Sequence, residues 1–116
     1  MAEPLRSFAE FWPHYVLAHR HPVTRGFHCA GTLLGWALLV MALVRREPWL
    51  VLAALAVPYL LAWFSHLFIE HNRPATFGHP LWSWRADHKM VGLMLVGRMG
   101  EEVRRAAGAG GSPGRA

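Results

Sequence analysis

Histidine and glutamate side chains crowd into residues 65–84, where a long apolar run ends. Four of them are candidates for chemistry: His66, Glu70, His71 and His79. On a helix, His66 and Glu70 are four residues apart and share a face, whereas His71 lies about 140° round from His66. A histidine with a carboxylate one turn away is either a metal ligand with its partner or a hydrogen-bonded pair in a core. Other parts of the chain must supply further ligands if a metal binds here.

The composition favours a membrane protein. The 116 residues allow one domain, and 53% of them are hydrophobic while only 16% are charged, which is more apolar than an average soluble domain. The net charge of +5 comes with arginines and lysines that flank the apolar runs. We therefore interpret these cations as membrane-interface anchors and do not expect nucleic-acid binding. The single cysteine, Cys29, excludes an internal disulfide.

Two apolar runs predict an all-α fold built on an integral membrane helical hairpin. Residues 27–44 and 49–69 are each near the length that crosses a bilayer core; the alternative is a pair of buried helices in a soluble bundle. The short connection at residues 45–48 makes the two transmembrane helices antiparallel. The flanks hold more lysine and arginine than the loop, so the positive-inside rule places both termini in the cytoplasm. In a bacterium this membrane would be the inner one.

Amphipathic or interfacial helices are predicted on both sides of the hairpin. Within residues 1–21, aromatic side chains recur at spacings of three and four, which predicts a short helix lying on the membrane surface or on the other helices. Residues 78–84 predict an irregular interfacial segment with two tryptophans. Residues 87–103 resume a helical pattern.

These elements predict a single membrane-embedded helical domain over residues 1–105. The remaining residues, 106–116, are rich in glycine and alanine and are expected to be a disordered tail. Two membrane helices alone make a thin wall around a reactive centre. We therefore expect either interfacial helices packed against them or a homodimer.

The hairpin brings histidines from distant parts of the chain to one depth. His28 lies 17 residues before the connecting loop and His66 lies 18 residues after it, so both reach the cytoplasmic end. His19 is nine residues before His28, on the opposite side of any continuous helix, but a turn predicted at residues 22–26 lets it approach the other two. An ionisable group at membrane depth is costly without a partner or a metal, so this cluster indicates a functional site.

The residues alone leave several chemistries open. Imidazole and carboxylate ligands suit iron, zinc, copper or manganese, and a site with open positions suits Fe(II) and O₂. One alternative is a noncatalytic membrane scaffold or interaction protein with a polar cluster or a closed zinc site. Another is a haem-binding membrane subunit, which a strong visible absorption band would reveal. Serine or cysteine hydrolysis is disfavoured, because Ser65 and Cys29 adjoin histidines in sequence and adjacent helical residues diverge by about 100°.

Two blocks of the sequence resemble a known family. They are HYVLAHRHPVTRGFHCAGT at 14–32 and WFSHLFIEHNRPATFGHPLWSWRADHKM at 63–90. They are similar to the small membrane proteins that include the fungal endoplasmic-reticulum 2-hydroxy-fatty-acid dioxygenase, over roughly residues 8–95. The resemblance implies an Fe(II)-dependent dioxygenase that shortens a 2-hydroxy fatty acid by one carbon in fatty-acid α-oxidation. Its partners would be O₂, the fatty-acid substrate and membrane lipid.

The resemblance also implies roles for individual residues. It assigns metal ligation, and with it catalysis, to His19, His28 and His66, with Glu70 as a fourth ligand or as a partner that orients one. His79 is a further candidate ligand, because a turn at Pro80 could swing it toward the site. Zinc or another transition metal is the alternative to Fe(II). The other histidines are left without a role: His14, His21, His71 and His88.

Overall fold

The computed structural model describes residues 5–74 and 78–110. Throughout these residues the fold is all-α, as predicted, with no strand. The elements are α1 (Phe8–Leu17), α2 (Pro22–Arg45), α3 (Trp49–Ser65), a π-helical turn (His66–Glu70), α4 (Pro80–Leu95) and α5 (Met99–Gly110). The described chain forms two compact units: α2, α3 and the π turn make the hairpin unit, and α1, α4 and α5 make the three-helix unit. The single domain expected over residues 1–105 stays a prediction.

The hairpin unit contains the two long apolar helices that the sequence predicts. α2 has 24 residues, and α3 with the π turn has 22; each has a mean hydropathy of 1.9 over its most apolar window. Only 22% and 28% of those windows are buried, and large side chains such as Leu43 and Leu52 are about 70% exposed. A core helix of a soluble protein would bury its apolar side chains, whereas a helix in lipid can expose them. Both helices are therefore long and apolar enough to cross a membrane.

α2 begins earlier than predicted. The expected turn at residues 22–26 is wrong, because α2 starts at Pro22 and continues through Gly26. Proline is favoured at the first helical position, where its missing N–H costs no hydrogen bond. The side chain of His21 caps this end by accepting a hydrogen bond from the backbone N–H of Val23 at 3.1 Å. The break between α1 and α2 is therefore confined to residues 18–21.

The three-helix unit is built around the aromatic face of α1. Ser7 caps this helix by accepting a hydrogen bond from the backbone N–H of Glu10 at 3.2 Å, and Pro13 lies within the helix without ending it. The buried core of the unit consists of Phe11, Trp12, Tyr15, Val16, Ala86, Met90, Met99 and Ala106. The sequence predicted that this aromatic face would lie either on the membrane surface or on the other helices. In the structure it packs on α4 and α5.

The segment predicted to be irregular at residues 78–84 is mostly helical. α4 begins at Pro80, again with proline in the first turn, and includes Trp82 and Trp84. The irregular structure expected there is therefore wrong from Pro80 onward.

The helix predicted over residues 87–103 is interrupted. Gly97, with a φ of +75°, separates α4 from α5, and this left-handed conformation favours glycine. α5 then continues to Gly110 and so includes residues 106–110 of the expected tail; residues 111–116 lie outside the described residues. Alanine is a strong helix former, which accounts for the extension.

Candidate metal centre

His28 and His66 come into ring contact in the hairpin unit. Their ring centroids are 5.1 Å apart with an interplanar angle of 85°, and the side chains are 5% and 1% exposed. His28 lies in the second turn of α2, and His66 is the residue at which α3 passes into the π turn. The two histidines are thus neighbours, as counting residues from the connecting loop predicts.

His19 completes a group of three buried histidines. One ring nitrogen from each of His19, His28 and His66 lies within 4.8 Å of the other two. Two nitrogens bound to one metal at about 2.1 Å lie about 3 to 4 Å apart, so nitrogens within 4.8 Å of one another are close to the spacing of ligands on one ion. Across residues 5–74 and 78–110, no other group of three or more His, Cys, Asp or Glu residues meets this distance.

The backbone of α1 fixes the tautomer of His19. Its Nδ1 lies 2.6 Å from the carbonyl oxygen of Tyr15, and its ring stacks on the Tyr15 ring with centroids 3.9 Å apart. A carbonyl oxygen only accepts, so Nδ1 must carry the proton and donate it, which leaves the lone pair on Nε2. Metal-binding histidines are held in this way, with one nitrogen donating to a carbonyl and the other free to ligate.

Asn72 does the same for His66. The Nδ1 of His66 lies 2.7 Å from Oδ1 of Asn72, and the Asn72 backbone N–H donates back to the carbonyl oxygen of His66 at 3.0 Å. The chain reverses between them through His71, which adopts the left-handed conformation with φ +59°. Because an amide oxygen accepts, the Nδ1 of His66 donates and its Nε2 keeps the lone pair. The π turn that starts this reversal is of a kind found frequently at functional sites.

The buried face of α2 adds two polar atoms. Within the described residues, the Nε2 atom of His28 and the Oγ1 atom of Thr24 are buried and form no hydrogen bond, although the His28 ring itself contacts His66. Thr24 and His28 are one helical turn apart and share a face. Burying such an atom without a hydrogen bond costs about 1–3 kcal/mol. A small polar ligand or water at this face would offset that cost.

Glu70 and His79, the other candidate ligands, do not belong to the group of three. Glu70 is half-buried, and its Oε2 accepts a hydrogen bond from the backbone N–H of His21 at 2.8 Å. His79 precedes α4, where its ring stacks on Trp82 at 5.0 Å and meets the Phe11 ring at 5.3 Å. Glu70 thus fixes the start of α2, and His79 packs in the aromatic core of the three-helix unit.

The four histidines left without a role have local structural partners. The Nδ1 of His14 pairs with the Glu10 carbonyl oxygen, and the Nδ1 of His88 pairs with the Trp84 carbonyl oxygen. His21 caps α2, and His71 reverses the chain after the π turn. His14, His21 and His71 are exposed, and His88 is half-buried.

A part-buried hydrogen bond that the sequence did not predict supports the ring on which His19 stacks. The Tyr15 hydroxyl donates to Asp87 of α4. Burial raises the pKa of Tyr15 well above its ordinary value, and the Asp87 charge and hydrogen bond raise it further, so the phenol stays protonated at neutral pH. Asp87 lies within α4, which begins at Pro80. In the sequence, the four-residue spacing of Tyr15 and His19 indicates only that these two side chains share a helix face.

Comparison with known protein families shows to which one this chain is similar. Residues 5–99 match the family model described as 2-hydroxy-palmitic acid dioxygenase Mpo1-like. This range contains every candidate metal ligand named above, and it confirms the resemblance drawn from the two histidine blocks. No curated protein and no solved structure matches the chain.

Proposed function

We propose, because the chain belongs to the Mpo1-like family of 2-hydroxy-palmitic acid dioxygenases, that it is an Fe(II)-dependent dioxygenase of 2-hydroxy fatty acids. The observation that carries this proposal is the buried group of His19, His28 and His66, with one ring nitrogen from each within 4.8 Å of the others. Three protein ligands leave positions open on an octahedral ion. A closed structural zinc site needs a fourth protein ligand, and the group offers three among the described residues.

The chemistry is an oxidative loss of one carbon. A 2-hydroxy acid and O₂ give the fatty acid one carbon shorter, CO₂ and water, which balances every atom. Fe(II), when bound, supplies the electrons that activate O₂. His19 and His66 each present an Nε2 lone pair, because their Nδ1 atoms donate to Tyr15 and Asn72. Their burial keeps bulk water from the reacting carboxylate and hydroxyl groups.

The acyl chain of the substrate has an apolar surface beside the histidines. The Phe27 and Phe64 rings lie 5.4 Å apart, and Phe64 and Phe68 lie 4.8 Å apart. Phe27 adjoins His28 in sequence, and the exposed side chains of Phe64 and Phe68 flank His66. We place the acyl chain along these rings in the lipid, with α2 and α3 crossing the membrane and both termini in the cytoplasm.

Purified protein tests the proposal directly. We expect metal-free protein in nonionic detergent, reloaded anaerobically with Fe(II) and then exposed to O₂, to convert 2-hydroxypalmitate to pentadecanoate, measured by mass spectrometry. The same protein loaded with Zn²⁺ should bind the ion and form no product, because zinc has no redox chemistry. Fe(II)-loaded protein that consumes no 2-hydroxy acid would contradict the proposal. A strong visible band in the purified protein would indicate haem instead.

Tyr15 and Asp87 act in this proposal as positioning residues for His19. Tyr15→Phe keeps the stacked ring but removes the hydroxyl that donates to Asp87. Losses of hydrogen bonds made directly to a metal ligand weaken metal binding by about 10- to 100-fold, and we expect the lower end because the lost bond joins Tyr15 to Asp87 and not to His19. Asp87→Leu should have the same effect, whereas Asp87→Asn keeps an acceptor oxygen and should bind nearly normally. Co(II) titration followed by its visible spectrum measures the affinity, and wild-type affinity in Asp87→Leu would contradict the role.

A further inference from the structure

The three-helix unit contains a groove that the oxygenase chemistry does not use. It has a volume of about 650 Å³ and lies between α1, α4 and α5. Its lining residues are Phe8, Ala9, Trp12, Arg85, Lys89, Glu102 and Arg105. The lining thus combines two aromatic rings with three cations and one carboxylate.

Two of the cations are held against the aromatic rings. The Cζ of Arg85 lies 4.1 Å from the centroid of the Phe8 ring, and the Nζ of Lys89 lies 4.3 Å from that of Trp12. The two rings are four residues apart on α1 and the two cations are four residues apart on α4, so the rings and the cations form facing rows. Cation–π contact orients a cation without neutralising it. Among the described residues, neither Arg85 nor Lys89 forms a salt bridge.

The carboxylate in the groove is already engaged. Glu102 accepts a hydrogen bond from Nε1 of Trp12 at 2.8 Å and pairs with Arg105 at 2.9 Å. The charges of Glu102 and Arg105 therefore cancel. Arg85 and Lys89 then give the groove a net charge of two positive units. An anion is the chemical class of ligand that this charge favours.

Apolar side chains continue the row of cations along α4. Leu81 is one turn before Arg85 and is 81% exposed, and Trp84 beside it is 52% exposed. Exposed leucine and tryptophan next to lysine and arginine are typical of a helix at a membrane surface, where cations meet headgroups and apolar side chains meet acyl chains. A small soluble anion would make no contact with Leu81 and Trp84, whereas the acyl chain of a lipid would.

We propose that this groove binds the phosphate of an anionic phospholipid. Arg85 and Lys89 hold the phosphate, and Leu81 and Trp84 contact the adjoining acyl chain. Arginine and lysine both recognise phosphate through charge-assisted hydrogen bonds. This inference stands apart from the proposed oxygenase activity, since none of its residues belongs to the histidine group.

Native mass spectrometry of the full chain in nonionic detergent tests the groove. We expect more bound phosphatidylglycerol than phosphatidylcholine, and we expect the double variant Arg85→Gln/Lys89→Gln to lose phosphatidylglycerol affinity by roughly tenfold or more, because each cation near an anionic lipid contributes several-fold. The matched control is Arg98→Gln/Arg104→Gln, which removes two exposed positive charges of the same unit outside the groove. It should bind nearly as the wild type does. The swap Arg85→Lys/Lys89→Arg should restore most of the binding, which shows that a loss comes from charge and not from misfolding.

The remaining outcomes decide between a lipid and a free phosphate. Leu81→Ser should weaken phosphatidylglycerol binding and leave glycerol 1-phosphate binding unchanged. Equal losses in the groove variant and the control variant, or equal binding of the two lipids, would overturn the proposal. Glycerol 1-phosphate binding as tight as that of phosphatidylglycerol, with Leu81→Ser silent for both, would overturn the lipid assignment in favour of a soluble phosphate.

Discussion

Replacing His66 by alanine should abolish both tight metal binding and turnover of 2-hydroxypalmitate. His66 is 1% exposed, its Nδ1 is held by Asn72, and it belongs to the group of three histidines. Loss of a group that merely supports a ligand costs about 10- to 100-fold in metal affinity, so loss of a ligand should cost at least about 100-fold. His28→Ala should do the same, since it removes the other ring of the hairpin pair. Metal content of the purified protein and mass spectrometry of the product measure both effects.

Two comparisons separate ligation from folding. His14→Ala removes an exposed histidine outside the group and should leave metal content and turnover unchanged. Helix content by circular dichroism should match in all the variants, because the hairpin is held mainly by packing between α2 and α3. Full activity in His28→Ala or His66→Ala would remove the proposed catalytic centre altogether.

The pairing of His28 and His66 could be predicted from the sequence because the rise per residue of a helix is constant. Once the short loop fixed an antiparallel hairpin, counting residues from it placed His28 and His66 at one level. The two membrane-length helices could be predicted equally well, since the length of an apolar run and its lack of charge do not depend on contacts elsewhere in the chain. Local regularity therefore predicted the hairpin and two of the three grouped histidines most directly.

Structural features that depend on distant or competing contacts could not be predicted from the sequence. Pro22 and Pro80 each start a helix in the structure, but proline also marks turns, so the sequence alone does not decide between the two. The partner of Tyr15 is Asp87, 72 residues away, and nothing local in the sequence indicates that pairing. The π turn depends on the return of Asn72 to His66, which hydropathy does not encode.

The contact between α2 and α3 explains how His28 and His66 can approach so closely. Gly31 and Gly35 are buried one turn apart on α2 and face Pro58 of α3. A Cβ at Gly31 would lie 3.2 Å from Cα of Pro58, and one at Gly35 would lie 2.6 Å from Cγ of Pro58. Small residues four apart allow membrane helices to approach at backbone distance. The glycines thus set the separation of the two helices that carry the histidine pair.

Gly35→Ala is therefore expected to destabilise the hairpin more than its single added methyl group suggests. The new Cβ would meet the Pro58 ring at 2.6 Å and the carbonyl oxygen of Ala54 at 3.1 Å. Proline has no N–H to bond that carbonyl, and its closed ring cannot rotate away, so the helices must separate. Overpacking of this kind costs about 1–3 kcal/mol in the free energy of unfolding. Metal affinity should fall as well, because the displaced helices carry His28 and His66.

Two other glycines of α2 give a graded control for this substitution. A Cβ at Gly26 meets nothing within 4 Å, so Gly26→Ala should raise the free energy of unfolding by about 0.5–1 kcal/mol through the higher helix propensity of alanine. Gly31→Ala should fall between the two, because a contact at 3.2 Å needs a shift of only a few tenths of an ångström. Thermal unfolding in detergent micelles, followed by circular dichroism, measures the series. Equal stability of Gly26→Ala and Gly35→Ala would show that the helices do not approach at Pro58, and the close pairing of the two histidines would lose its structural basis.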